Sequence, residues 1–236
     1  MKRTYDRLIK GIRDYFRRNN IKKAVIGLSG GIDSALSLKL VADAIGNKNI
    51  TALIMPEKGL TKLENVKDAV NLCKELKVSY KIVPINNFLN EFKKIKEWKQ
   101  NKNALINTKA RIRAVLLYNY ANTHNAIVIG TSNKTEIALG YFTKYGDGAV
   151  DIEVIGDLYK TEVWELAKYL KLPKNIINKT PSAELYHGHT DEEEIGEKYQ
   201  DIDLMLKGKK KKSNKIIGLI KKNKHKTEKI PVIKAH

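Results

Sequence analysis

Two carboxylates and a glycine pair are the residues whose types and spacing could do chemistry. The stretch VIGLSGGIDSALSLKL (25–40) runs from an apolar segment into SGGIDS (29–34), and a helical pattern begins at Ala35. A helix start carries unpaired backbone N–H groups and the positive end of the macrodipole, so it attracts anions. Gly30 and Gly31 have no Cβ and let the backbone approach a ligand, while Ser29 and Ser34 add hydroxyl donors. Asp33 repels a phosphate unless a cation lies between them, so the loop is expected to hold phosphate together with Mg²⁺. It lacks the lysine of G-x-x-x-x-G-K-[ST] and the spacing of G-x-G-x-x-G. A loop without that lysine suits released pyrophosphate, as in cleavage of ATP between the α and β phosphates. A plain turn with Asp33 as a helix cap is the alternative.

The second carboxylate comes from IVIGTSNKTE, where Thr131, Ser132 and Asn133 end an apolar run and Glu136 follows one turn into a helix. Asp33 and Glu136 facing one cleft would share a Mg²⁺ that bridges ATP phosphates. Asn133 with Glu136 also reads simply as a capping box. Next, ALGYFTKYGDGAVDIEVIGDLYKTEV holds Gly140, Gly146 and Gly148 in a polar segment able to close over a substrate. Lys144 and Lys160 offer point charges for phosphates, and Asp147 and Asp151 could hold hydroxyl or amide groups. A solvated turn fits the same residues. His187 and His189 form an H-x-H pair without further ligand candidates nearby, and no zinc site is expected there.

The elements that must position these groups follow from periodicity. Strand-like runs stand at 23–28, 50–55, 79–85 and 126–131, separated by helical patterns at 34–46, 62–77, 86–97 and 104–123. This alternation predicts an α/β fold: a Rossmann-like, doubly wound parallel sheet with helices on both faces. Ligands then collect at the carboxyl ends of the strands, near a topological switch point. A single domain over 1–236 is expected, with an N-terminal helix over 1–22, a helical C-terminal annex past 150, and a mobile tail region over 207–236. In NTKARIRAVLLYNYAN, Ile112, Val115 and Leu116 point to the core, with Arg111 and Arg113 on other faces. Leu63, Val66, Ala69, Val70, Cys73 and Leu76 recur at helical spacing, so the only cysteine is a packing residue.

The chain of 236 residues carries a formal charge of +19. The basic residues are spread out apart from one run, KGKKKK at 207–212, without an aromatic platform, so no nucleic-acid partner is expected. No window approaches about 18 uncharged apolar residues. The N-terminus is charged and helical in pattern, unlike a signal peptide, and a cytoplasmic location is expected.

SGGIDS resembles the pyrophosphate loop of the ATP-pyrophosphatase superfamily. The segments NTKARIR (107–113), GTSNKTE (130–136), GYFTKYGDGAVD (140–151), DLYKTEV (157–163), PSAELYHGHTDE (181–192) and HK (225–226) resemble, in this order, the ammonia-dependent NAD synthetase family. The resemblance implies a ligase that adenylates the nicotinate carboxylate of deamido-NAD with ATP and then transfers the acyl group to ammonia, releasing AMP and pyrophosphate. It implies ATP contacts at Gly27, Leu28, Ser29, Gly30, Gly31, Ile32, Asp33, Ser34, Thr131, Lys160 and Ser182. Deamido-NAD contacts fall on Arg111, Lys144, Asp151, His225 and Lys226. Mg²⁺ falls on Asp33 and Glu136, which with Lys160 form the catalytic set. It further implies a homodimer with the dinucleotide site at the interface. Tyr186, His187 and His189 stand where the family often reads W, x and Q, and Thr227 stands where it often has arginine.

Glutamine as the nitrogen source needs a nucleophile, usually a cysteine, and the pattern of Cys73 does not supply one. Free ammonia, or ammonia from a separate partner, is expected. The competing reading is an RNA-modifying enzyme of the same superfamily, which would use the positive charge directly.

Overall fold

In the computed structural model, the described residues are all except 98–100, 183, 185, 187 and 236. Helix α1 (Lys2–Arg18) precedes β1 (Lys23–Gly27), α2 (Ile32–Ile45), β2 (Ile50–Ile54), α3 (Leu63–Glu75), β3 (Ser79–Ile82) and α4 (Asn86–Lys93). Then come α5 (Lys102–His124), β4 (Ala126–Gly130), α6 (Lys134–Leu139), β5 (Ile152–Glu153) and α7 (Lys160–Tyr169). Four more helices follow: α8 (Lys174–Ile177), α9 (Asp191–Ile195), α10 (Tyr199–Leu206) and α11 (Asn214–Thr227).

The strands pair in the order β3-β2-β1-β4-β5, all parallel. The chain therefore winds outward from β1 through β3, returns, and winds the other way from β4. The switch point lies between β1 and β4, which run side by side with Ile26 opposite Ile129. Successive side chains alternate between the faces. Ala24 and Ile26 pack with α1, α2 and α7 in the larger core, and Val25 packs with Val128, Ile112 and Leu89 beneath α4 and α5. Both faces are covered, as buried apolar strands require.

Three expectations change. Residues 207–236 are not one loose tail: α11 lies within them, its Ile216 is buried, and it joins Leu139, Ile195, Tyr199 and Ile202 in a third small core. Val115 faces outward at 68% exposure, because α5 buries only a narrow stripe containing Ile112, Ala114 and Ala121. Leu63 is likewise exposed at the first turn of α3, whereas Cys73 is buried in the core. Burial pushes that thiol up to about 11, which keeps it protonated and unreactive.

Candidate active site at the switch point

The SGGIDS loop leaves β1 and turns directly into α2. Its hydroxyls fold the loop on itself: Ser34 Oγ donates to the Gly31 carbonyl at 3.0 Å, and the Gly31 N–H donates to Ser29 Oγ at 3.2 Å. Gly31 is the N-cap, and no side chain caps this start, so α2 meets the cleft with bare amides. Gly30 has φ +82°, and a Cβ there would collide with the Asn65 carbonyl of α3. Glycine is needed at this position for both conformation and close approach.

Across the switch point, Asn133 caps α6 in a full capping box with Glu136. The same Asn133 side chain donates through Nδ2 to Asp33 Oδ1 at 2.9 Å. The capping box therefore forms as its spacing predicts, and the same side chain also reaches the cleft, because the amide oxygen serves the helix and the amide nitrogen serves Asp33. Lys160, the first residue of α7, is 1% exposed and extends its ammonium between the two carboxylates, 2.5 Å from Asp33 Oδ2 and 3.3 Å from Glu136 Oε1. Its backbone N–H is held by Thr135 Oγ1, and Asp203 of α10 accepts from both Thr135 and Thr161. Burial disfavours the Lys160 ammonium, but Asp33 and Glu136 outweigh it and hold its pKa above the ordinary lysine value. Burial likewise raises the Glu136 carboxyl, and the charge on Asp33 adds to that rise.

A second group lies along the α5 side. Arg111 donates to the Lys144 carbonyl at 3.3 Å, Lys144 donates to the His225 carbonyl at 2.6 Å, and Lys226 donates to the Gly140 and Phe142 carbonyls at 2.8 Å. Asp151 receives the Val128 N–H at 2.7 Å and the Tyr118 hydroxyl at 3.2 Å. Tyr118 lies two helical turns beyond Arg111, so Asp151 and Arg111 border one face of α5. The Ser182 hydroxyl donates to the His189 carbonyl at 2.6 Å. The Thr131 side chain forms no hydrogen bond among the described residues.

The family model described as NAD synthase matches residues 4–234. The chain belongs to the NAD synthase family. It is 44% identical to the NH(3)-dependent NAD(+) synthetase of Archaeoglobus fulgidus, over 97% of this chain and 96% of that one. Among solved structures, the NMN synthetase of Francisella tularensis superposes with a TM-score of 0.92 at 38% identity, covering 100% of this chain and 98% of that one. The NH3-dependent NAD synthetase of Campylobacter jejuni, in complex with nitrate ion, gives a TM-score of 0.81 at 34% identity, covering 99% of each chain.

Within this NAD synthase fold, sequence reasoning missed two side-chain groups. Glu153 of β5 lies where a Cβ on Gly130 would be, and it accepts the Ser132 N–H at 3.0 Å. Burial pushes its carboxyl up to about 7. Nothing in VDIEVI marks Glu153 as different from a surface residue; only the register of β5 against β4 brings it to Gly130. The other group joins α9 to the glycine-rich segment. His189 Nε2 lies 2.7 Å from Glu194 Oε2, and the Tyr141 hydroxyl donates to the same oxygen at 2.5 Å. Burial and the Asp191 and Glu194 carboxylates raise the Tyr141 pKa, so it stays a donor. His187 of the H-x-H pair lies outside the described residues.

Proposed function

We propose that this chain amidates the nicotinate carboxylate of deamido-NAD with ammonia, at the cost of ATP cleaved to AMP and pyrophosphate. The observation that carries the reading is the meeting of Asp33 and Glu136 on the Lys160 ammonium at the mouth of an uncapped glycine loop. Membership of the NAD synthase family and its NH(3)-dependent relatives support it. ATP is the co-substrate. The finer assignments, which residue touches which substrate, belong to this proposal.

A free carboxylate is a poor acyl donor because oxide would have to leave; adenylation makes AMP the leaving group. The chain's part is to align two polyanions and offset their charge. The α2 amides with Ser29 and Ser34 cradle the pyrophosphate that separates from the α-phosphate. Lys160 stabilises the charge developing there, with Asn133 holding Asp33 in place. Arg111, Lys144, His225 and Lys226 set a basic line for the dinucleotide, and Asp151 marks its end. Ammonia then attacks the acyl carbon and AMP leaves.

Asp33 and Glu136 fit Mg²⁺. They are hard oxygen donors already gathered round a positive charge, and a site of two protein carboxylates completed by substrate phosphates is characteristic of that ion. Bound there, it would neutralise phosphate charge.

The proposed reaction is assigned to one catalytic domain acting in the cytoplasm. Among the described residues, no helix is long and apolar enough to cross a membrane. The exposed Val115 beside Arg111 on α5 supports a homodimer whose substrate site lies at the interface.

A second reading keeps the chemistry and changes the acid, because the structure with TM-score 0.92 is named an NMN synthetase. One assay tests both: ATP, Mg²⁺ and either deamido-NAD or the corresponding mononucleotide acid, with ammonium or glutamine, following amide product, AMP and pyrophosphate. Equal amounts of NAD and AMP with ammonium alone are expected. Amidation of the mononucleotide alone replaces the substrate, and AMP release stimulated only by tRNA overturns the reaction.

A further inference from the structure

Lys179 lies just beyond α8, two residues before the PSAELYHGHTDE segment, and its ammonium reaches the glycine loop. It donates to the Gly30 carbonyl at 2.9 Å, to Asn65 Oδ1 at 2.6 Å and to Asp68 Oδ2 at 2.6 Å. Asn65 and Asp68 belong to α3, against which Gly30 is pressed. Asn175 of α8 donates to the other Asp68 oxygen at 2.5 Å. A lysine ammonium has three N–H donors, and here each has an acceptor. Lys179 is therefore committed to the loop and α3, unlike a side chain extended toward a ligand.

The Gly30 carbonyl matters because of the peptide it belongs to. In a trans peptide the C=O of Gly30 and the N–H of Gly31 point in opposite directions. With the carbonyl turned to Lys179, the Gly31 N–H turns the opposite way, to Ser29 Oγ within the loop. Neither Gly30 nor Gly31 has a Cβ to resist rotation of that peptide. A flipped peptide would aim a carbonyl lone pair at the anion in place of a donor. Ser29 Oγ restrains this peptide from its N–H side, but no loop hydroxyl engages the Gly30 carbonyl, since Ser34 Oγ engages Gly31; Lys179 is the side chain that holds the carbonyl end.

We infer that Lys179 is a positioning residue for the pyrophosphate loop: its ammonium fastens the Gly30 carbonyl to α3 and so keeps the Gly31 N–H facing the phosphates. This rests on the proposed ATP-cleaving role of the loop. It assigns the C-terminal half a part in ATP binding beyond Lys160 and Ser182, made through the backbone of a distant loop.

The test uses the full chain with Lys179→Met, Lys179→Arg and Asn175→Ala. The probe is inorganic pyrophosphate with Mg²⁺, titrated by calorimetry, beside the steady-state KM for ATP and for the acid substrate. Lys179→Met is expected to weaken pyrophosphate binding and raise the ATP KM by about tenfold or more, the usual scale for a charged hydrogen bond. The KM for the acid should stay within about twofold of wild type. Lys179→Arg should recover a large part of the affinity. Asn175→Ala breaks the same α8–α3 contact without touching Gly30, so it should lower the melting temperature yet bind pyrophosphate as wild type does. Wild-type affinity in Lys179→Met, no rescue by arginine, or affinity lost in Asn175→Ala in step with its melting temperature would overturn the proposal. Wild-type protein that binds neither ATP nor pyrophosphate would overturn the functional reading itself, and the same titration shows it.

Discussion

The Lys160 ammonium lies 2.5 Å from Asp33 Oδ2 and 3.3 Å from Glu136 Oε1, inside a site where the lysine side chain is 1% exposed. The cation offsets two carboxylates that would otherwise repel each other in a poorly solvated place. Replacing it with Lys160→Met should cost about 3 kcal/mol, the scale of stripping the partner from buried charge. Added Mg²⁺ should recover part of that loss, because a ligand that binds the folded state stabilises it. Thermal melts with and without Mg²⁺ check this. A variant insensitive to Mg²⁺ would remove the metal from Asp33 and Glu136.

Asp33→Asn keeps the side chain's shape and removes the nearest countercharge of Lys160. AMP formation should fall by about 100-fold or more, on the scale of losing one electrostatic stabiliser of a transition state. Glu136 remains 3.3 Å from Lys160, so the fold should survive with a lowered melting temperature. Full AMP formation by a folded variant would count against the assigned role.

Lys144 donates its ammonium to the carbonyl of His225, and its own carbonyl accepts from Arg111. Lys144→Ala therefore loosens the line assigned to the dinucleotide while leaving the glycine loop intact. The KM for deamido-NAD should rise by about tenfold, and that for ATP should change far less. Equal changes in both would detach Lys144 from the acid substrate.

Glu153 gives a pH signature. Burial raises its folded pKa from 4.5 to about 7. Between those values the unfolded chain has lost the proton and the folded chain keeps it, so stability falls as pH rises through the window and is level above it. At about 1.36 kcal/mol per pKa unit, the penalty above pH 7 is about 3 kcal/mol. Glu153→Gln should abolish that fall, melting higher than wild type at pH 8 and close to it near pH 4.5. Parallel melting profiles for the two proteins would exclude the raised carboxyl.

Gly30→Ala should be among the most damaging small substitutions. It places a Cβ at φ +82° and against the Asn65 carbonyl, for a loss of about 2 kcal/mol or more. Gly218→Ala, where a Cβ meets nothing within 4 Å, serves as the control, and a similar loss in both would refute the close-approach argument.

Local chemistry fixed much of this protein before any tertiary contact formed. Apolar runs alternating with amphipathic helices dictate a parallel sheet covered on both faces, since buried strands need helices above and below. SGGIDS dictates a tight strand-to-helix turn with bare amides, because glycine readily takes the Gly30 backbone and no side chain caps the helix start. Asn133 and Glu136 dictate a helix start by their spacing alone. Sequence suggests that Asp33 and Glu136 face one cleft, but not which side chains meet there. The order β3-β2-β1-β4-β5 sets the end of β1 beside the end of β4, and that alone brings Asp33 to Asn133. Sequence offers Lys160 as a point charge for phosphates, but only the packing of α7 buries it between two carboxylates. Glu153 and Lys179 gain their partners in the same way, from strand register and from the docking of α8 on α3. Propensity and hydrophobic period act over a few residues, whereas a buried charge is set by whatever the folded chain brings within a few ångströms of it.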